Sequence, residues 1–512
     1  MSDEAATSPV QDARVEQGGT SDGPAETGRS ETGWPSSLLL LLSAFGLCTL
    51  AFTVAARAAF PWPLEWMEGA SLQHAVRLLR GQPLYAAPAA EFVPYLYPPL
   101  AYLPMALSAA LFGASLPAAR LASIACAVLA IALIGRAAAR AAGASSAGWA
   151  AAGLFALGYG FTGAFLDLAR VDACFVVLIA AAAERLLAQR PRAALLWLVL
   201  SAFAKQHGVI LLAAVSGALL VRAPRRAAPA VAVSWVVLLA GFGVLELASS
   251  GWFGRYVLEL PLDHGADPAL FLSFFAVDLL VYLPVLVVAS VLTLARHPRA
   301  WGAFEALLVA ALVAGALGRA HAGGHDNVRL PAFALLCIAG VAPLCRALLA
   351  PASTRRVRIA LCAALIVQFA LLWQAPGYHA PPQDSAARFA ELQAALQRCA
   401  RGGRAVALDH ALLTGVPFVH TMALSDLRMG ERRALAGAAS KRLLDALCSQ
   451  HAPAAIAVGE SFPALDRVIA ECYQPCAEVA SPALATGYVP GAPGPTGKLQ
   501  RIYALRRDPG PR

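Results

Sequence analysis

The sequence predicts a mainly α, polytopic membrane helix bundle of about 11 crossings, with interfacial helices in the first outer loop and a small C-terminal extracytoplasmic α/β domain. Three observations predict it. Hydrophobic residues make up 59% of the 512 residues and charged ones only 14%, against roughly 45–50% and 25% in soluble domains. Apolar stretches of the ~17–25 residues needed to span hydrocarbon recur up to residue 375, so helices rather than a barrel must satisfy the backbone. Beyond residue 377 the chain is less apolar and richer in proline, and helical and strand patterns alternate.

Residues 1–33 are rich in small residues and acids with almost nothing large and apolar, a composition that cannot bury a core and reads as a disordered cytoplasmic tail. No basic segment with a short apolar run and cleavage site opens the chain, so the first apolar stretch is expected to stay as an anchor. The transmembrane domain is placed at 34–376. Its expected spans are 36–58, 117–135, 146–164, 171–188, 193–204, 209–221, 228–248, 273–295, 301–318, 330–349 and 357–375. If all cross, arginine-rich junctions (Arg136 and Arg140, Arg185 to Arg192, Arg222 to Arg226, Arg296 and Arg299, Arg346 to Arg358) fall on one face, which the positive-inside rule makes cytoplasmic. The net charge of +9 is thereby accounted for by topology, and no basic face with aromatic readout points to nucleic acid. This parity requires the apolar run from Pro99 to Gly113 to lie at the interface without crossing.

Residues 377–512 are expected to form the outer domain: helices at 384–400, 431–450 and 463–472 between strands at 404–408, 454–458 and 501–506, with a parallel sheet plausible. Cys399, Cys448, Cys472 and Cys476 suit disulfides in an oxidising compartment, with connectivity left open; the six other cysteines lie in or beside spans as packing residues.

On the face opposite the arginines, four polar groups interrupt the apolar pattern: Glu65 and Glu68 in the first outer loop, Asp167 to Asp172, Lys205 to Gly208, and His321 to Arg329. Ionisable residues at this depth are costly and commonly mark a site. A boundary carboxylate has a tunable pKa, as a general base requires, and Arg or Lys can hold a phosphate. Plainer readings stand beside these. Arg170 and Asp172 suit a helix-end ion pair, Lys205 a snorkelling cation, His321 a solvated loop, and the glutamates a solvated edge. Spacing does not choose between Glu65 and Glu68. No C-x-x-C pair or H-E-x-x-H helix suggests a zinc cage, while a carboxylate-bound divalent cation stays open.

The order of Trp66-Met67-Glu68-Gly69, Gly81-Gln82-Pro83-Leu84-Tyr85, Tyr97-Pro98-Pro99-Leu100, Ala169-Arg170-Val171-Asp172, Lys205-Gln206-His207 and Gly323-Gly324 followed by Asn327 resembles GT-C superfamily integral membrane glycosyltransferases over residues 36–375. These are family-39-like, polyprenyl-phosphate-sugar-dependent enzymes, relatives of protein O-mannosyltransferases and lipid A aminoarabinose transferases. The resemblance implies a multi-pass protein of the bacterial cytoplasmic membrane that moves a sugar from a polyprenyl-phosphate donor to a glycan, lipid or protein acceptor on the outer face. It implies Glu68 as catalytic carboxylate, directly or through a metal ion, with Asp172 as a second catalytic element. It further implies Arg170, Lys205, His207, His325, Asp326, Asn327, Arg329 and Tyr97 as donor-binding residues. Where many relatives have Asp-Glu this chain has Met67-Glu68, Ala204 replaces a usual threonine, and Val328-Arg329 replaces Tyr-Phe. Two rival readings remain: a transporter or flippase for a lipid-linked or anionic substrate, since broken helices serve transport equally well, and a non-catalytic membrane assembly protein.

Overall fold

The computed structural model describes residues 33–89, 91–263, 265–296, 301–321, 324–408, 418–419, 441–442, 444–458, 463–480 and 499–506. The N-terminal tail and most of the helix expected at 431–450 lie outside these residues.

Helices occur at all eleven apolar stretches. The first nine labelled helices are α1 (Trp34–Ala58), α2 (Glu68–Leu79), α3 (Tyr102–Phe112), α4 (Leu116–Ala142), α5 (Ser145–Leu157), α6 (Asp172–Leu187), α7 (Pro191–Ala204), α8 (Gly208–Arg222) and α9 (Pro224–Ala248). Among the described residues six helices are long and apolar enough to cross a membrane: α1, α4, α9, Ala303–Ala320, Asp326–Leu349 and Arg355–His379. Pro268–Leu279 and Pro284–Arg296 form a pair bent by 97°, so the span expected at 273–295 is broken. Pro284 starts its second limb, where a missing backbone donor is harmless and the preceding residue is turned away from helix. At 11 residues, α3 is too short for the ~20 that a crossing needs.

Local sequence sets the boundaries. Ser115 caps α4 by accepting from the Ala118 amide at 3.3 Å, Pro117 sits in its first turn, and Gly143, left-handed at φ 72°, ends it. The span expected at 146–164 stops at Leu157, because the chain then turns through a loop with positive φ at Gly163 and Ala164. A side chain at Gly163 would press on Asp326 Cβ at 2.9 Å, so the loop lies directly against the segment that starts the helix Leu330–Leu349. α1 and α5 cross where Gly46 meets Gly153, whose backbones approach too closely for any side chain, the small-residue packing usual between membrane helices.

The C-terminal domain holds a five-stranded sheet in the order β2-β1-β3-β5-β4: β1 (Ala405–Leu408), β2 (Phe418–Val419), β3 (Ala455–Val458), β4 (Tyr473–Ala480) and β5 (Leu499–Leu505). β2, β1 and β3 are parallel, the expected strands at 404–408 and 454–458 being β1 and β3, but β5 runs antiparallel to both its neighbours. The sequence reading missed β2, only two residues long, and β4, an edge strand with Pro475 and a bulge, features that weaken the strand signal. Disulfides join Cys399 to Cys476 and Cys448 to Cys472. The helix Ser385–Ala400 fastens this domain to the segment between α1 and α3. Trp62 stacks on Phe389 with ring centroids 5.4 Å apart, and Met67, Ala70 and Tyr95 share one apolar cluster with Phe389, Leu392 and Leu396.

Candidate active site

The polar groups scattered through the sequence meet at the end of the bundle that carries the C-terminal domain. The loop after α1 delivers Glu65 and α2 begins at Glu68; the loop after α5 delivers Arg170 and α6 begins at Asp172. The break between α7 and α8 delivers Lys205, and a 3₁₀ turn at Asp326–Arg329 delivers Asn327. Short helices meeting at a polar break thus line the site, as their sequence suggested.

Glu65, Arg170, Asp172, Lys205 and Asn327 form one continuous chain of charge-assisted bonds. Arg170 donates from Nη1 to Glu65 Oε1 at 2.8 Å and from Nε to Asp172 Oδ2 at 3.1 Å. Asp172 Oδ1 also accepts from Lys205 Nζ at 2.9 Å and from Asn327 Nδ2 at 2.8 Å. Tyr97 closes over this chain, its hydroxyl 3.4 Å from Arg170 Nη2 and its ring 5.8 Å from Lys205 Nζ. Gln206 stitches the lid by donating to the carbonyls of Leu96 and Val257. All five linked residues are buried.

Glu68 stands in different surroundings. Its Oε1 accepts from Arg120 Nε at 2.8 Å and the Ala169 amide at 2.9 Å. Its Oε2 accepts from Arg120 Nη2 at 2.6 Å and the Leu64 amide at 2.7 Å. Burial alone would raise this carboxyl, but the Arg120 guanidinium and the two backbone amides carry it below the ordinary carboxylate value. Both oxygens are saturated, leaving no lone pair for an acceptor proton or a metal ion, so this geometry speaks against the general-base and metal-ligand roles expected of Glu68. Among the described residues no group of three or more His, Cys, Asp or Glu side chains is arranged to hold a metal. Glu65 keeps one bond on each oxygen, the second from the Met67 amide at 2.9 Å, and burial raises its carboxyl above the ordinary value against the pull of Arg170.

The remaining expected residues divide. His325 is half-buried, and burial, with Arg170 nearby, lowers its imidazole below the usual value. His207 lines a small cavity with Lys205 and Asn327 but is not part of the bonded chain. Asp326 and Arg329 belong to a second cluster. Arg329 Nη2 lies 2.8 Å from both Asp278 and Asp326, and its Nη1 donates to the Phe161 carbonyl at 2.7 Å. Arg319 joins the same two aspartates at 3.4 and 3.3 Å. Arg329 is thus anchored to Asp278, Asp326 and Phe161, outside the bonded chain that joins Arg170 to Lys205.

Arg120, Asp278 and Arg319 escaped the sequence reading, as did Arg57, which binds Asp167 Oδ2 at 2.8 Å and the His379 carbonyl at 2.8 Å. A usable signal existed for two of them. Arg57 and Arg120 sit at the span ends opposite the arginine-rich face, where cations are scarce and usually have a buried partner.

Beside this polar chain, α2, α3, α4, α6 and α7 enclose an apolar groove of about 1190 Å³. Leu100, Leu103 and Cys174 line it, the last two residues beyond Asp172.

No family model matches the chain, and no curated protein matches its sequence. Two solved structures share its fold almost end to end. ArnT from Cupriavidus metallidurans in the apo state superposes with a TM-score of 0.58 at 14% identity, covering 92% of this chain and 98% of that one. The same protein bound to undecaprenyl phosphate gives 0.57 at 13%, covering 93% and 100%. The polytopic fold expected from the resemblance to GT-C enzymes is therefore the fold of this chain.

Proposed function

We propose that this chain is a membrane glycosyltransferase that moves a sugar from a polyprenyl-phosphate donor to an acceptor on the outer face of the bacterial cytoplasmic membrane, where its C-terminal domain also lies. The observation that carries the reading is the buried chain from Glu65 through Arg170 and Asp172 to Lys205, placed beside a groove lined by apolar side chains. A lipid-linked sugar needs both parts: hydrocarbon walls for its isoprenoid tail and fixed cations where its phosphate ends. The match to a structure solved with undecaprenyl phosphate supports the same class of donor.

In this reading Lys205 and Arg170 bind the donor phosphate and stabilise the charge that gathers on it as the glycosidic bond breaks. Asp172 holds both cations at the mouth of the groove and keeps them aimed. Glu65, with spare lone pairs and a raised pKa, accepts the proton of the acceptor hydroxyl. Glu68 is a positioning residue, fixing the loop that carries Glu65 through Arg120. Glu65 has no exposed surface, so an acceptor enters only after the Tyr97 lid and its Gln206 bonds part. His325 and Asn327 shape the same wall. A divalent cation has no vacant carboxylate at Glu68, and no step is assigned to one.

The test is to incubate purified protein with a panel of polyprenyl-phosphate sugars and measure released lipid phosphate. Release with at least one donor, lost in Glu65→Gln, is the expected result. Two-sided uptake of a lipid-linked substrate into vesicles without bond cleavage would instead establish the transporter reading.

A further inference from the structure

We propose that the arginine-rich end of the same groove is a binding site for an anionic phospholipid, its headgroup phosphate held by Arg136, Arg140 and Arg185 and its acyl chains lying between α4, α6 and α7. The inference does not depend on the transferase reading, whose phosphate site lies at the opposite end, and an isoprenoid tail and the acyl chains would share the apolar walls between.

The groove is built from two helical stripes that end in charge. On α4, Cys126, Leu129 and Leu133 line it and the same three- and four-residue rhythm continues to Arg136 and Arg140. On α6, Cys174, Val177 and Ala181 line it and the stripe ends at Arg185, itself part of the wall. The three guanidiniums converge on one fully buried carboxylate. Glu184 Oε1 lies 3.3 Å from Arg140 Nη2 and 3.4 Å from Arg136 Nη2, and Oε2 accepts from Arg185 Nε at 2.5 Å. One carboxylate among three arginines leaves two positive charges uncompensated. The side chains of Arg136 and Arg140 are 62% and 46% exposed, so most of their donors are open to a ligand.

Arginines at helix ends are ordinary topology signals. These differ because Glu184 gathers them at the foot of an apolar cleft, the arrangement that anionic lipid headgroups occupy on the cytoplasmic side of membrane proteins. A zwitterionic lipid would bring its own cation to the two surplus charges, so the site should select net-negative headgroups.

The experiment uses the full chain in detergent, titrated with phosphatidylglycerol or phosphatidylcholine, with bound lipid counted by mass spectrometry and the melting temperature recorded. Wild type should prefer phosphatidylglycerol by about 30-fold if each of the two exposed arginines contributes as a juxtamembrane cation usually does. Arg136→Gln/Arg140→Gln should erase the preference, Arg136→Lys/Arg140→Lys should keep most of it, and Arg225→Gln/Arg226→Gln, on the same membrane face but off the groove, should not change it. Should the first variant fail to fold, Leu129→Trp supplies the answer by filling the groove while the arginines remain: lipid retention must fall. Equal binding of the two lipids by wild type, an equal loss in Arg225→Gln/Arg226→Gln, unchanged retention in Leu129→Trp, or stabilisation by inorganic phosphate that matches phosphatidylglycerol each overturns the proposal.

Discussion

Arg120 grips Glu68 side-on, with Nε 2.8 Å from one carboxylate oxygen and Nη2 2.6 Å from the other, and neither side chain reaches solvent. The remaining Arg120 donors go to the carbonyls of Arg57 at 3.4 Å, Phe60 at 2.5 Å and Trp62 at 2.7 Å. One guanidinium thus ties α4 to the end of α1 and the loop that follows it. Removing one member of such a pair strands a buried charge, at a cost of roughly 3–5 kcal/mol. Arg120→Met should therefore destabilise the protein by about that amount, and Glu68→Gln should lower its melting temperature as well. A Glu68→Gln protein that melts like wild type yet transfers no sugar would restore Glu68 as the base.

Glu65→Gln keeps the shape and the Met67 amide bond of a residue whose carboxyl burial already favours the neutral form. The fold should survive while transfer falls by about 10²–10⁴-fold, the usual worth of a positioned base. Wild-type turnover should rise with pH through the raised Glu65 value, since the base must be ionised, and the residual rate of the variant should lose that rise. Circular dichroism beside a rate measurement distinguishes this outcome from unfolding.

Lys205→Met leaves Asp172 with Arg170 and Asn327, so its carboxylate stays partnered and the bundle should persist. Loss of a charge-assisted bond to phosphate costs about 1.5–3 kcal/mol, so the affinity for polyprenyl phosphate should drop by roughly 10- to 150-fold. Unaltered affinity, read by titration calorimetry, would remove Lys205 from the donor site.

His74, on α2, is fixed as one neutral tautomer: Nδ1 donates to the Ala70 carbonyl at 2.7 Å and Nε2 accepts from the Tyr95 amide at 3.0 Å. A second proton would face the Tyr95 N–H, and burial lowers the imidazole from 6.5 to about 4. The stability it contributes is complete above pH 6.5 and is lost as pH falls through about 4, up to about 3 kcal/mol in all. The gap between melting temperatures at pH 7.5 and 4.5 should therefore be narrower in His74→Gln than in wild type, buried groups such as His325 keeping the remainder, and an equal acid slope in both proteins would refute the assignment.

Sequence order and motif resemblance singled out Arg170, Asp172, Lys205 and Asn327, which the fold joins in one bonded chain, because polar residues in apolar surroundings are conspicuous and span alternation puts them on one face. It could not choose between Glu65 and Glu68. That choice depends on Arg120, 52 positions beyond Glu68, and no local pattern announces the pairing. The pairing of Arg329 was hidden for a related reason: its partner Asp278 sits in the limb of a helix that the apolar pattern shows as continuous and that is bent. Bundle membership was legible from hydropathy, whereas partner choice between distant helices was not.

The seam between Met67, Tyr95 and Phe389 bears on how the protein is made. The loop between α1 and α2 is synthesised early, and the helix Ser385–Ala400 that covers it follows every candidate span among the described residues. Until that helix arrives, Trp62 lacks the Phe389 ring it stacks upon and the apolar side of α2 stays uncovered. The nascent protein thus carries the buried chain of Glu65, Arg170 and Asp172 beneath an open loop, which a segment made hundreds of residues later closes.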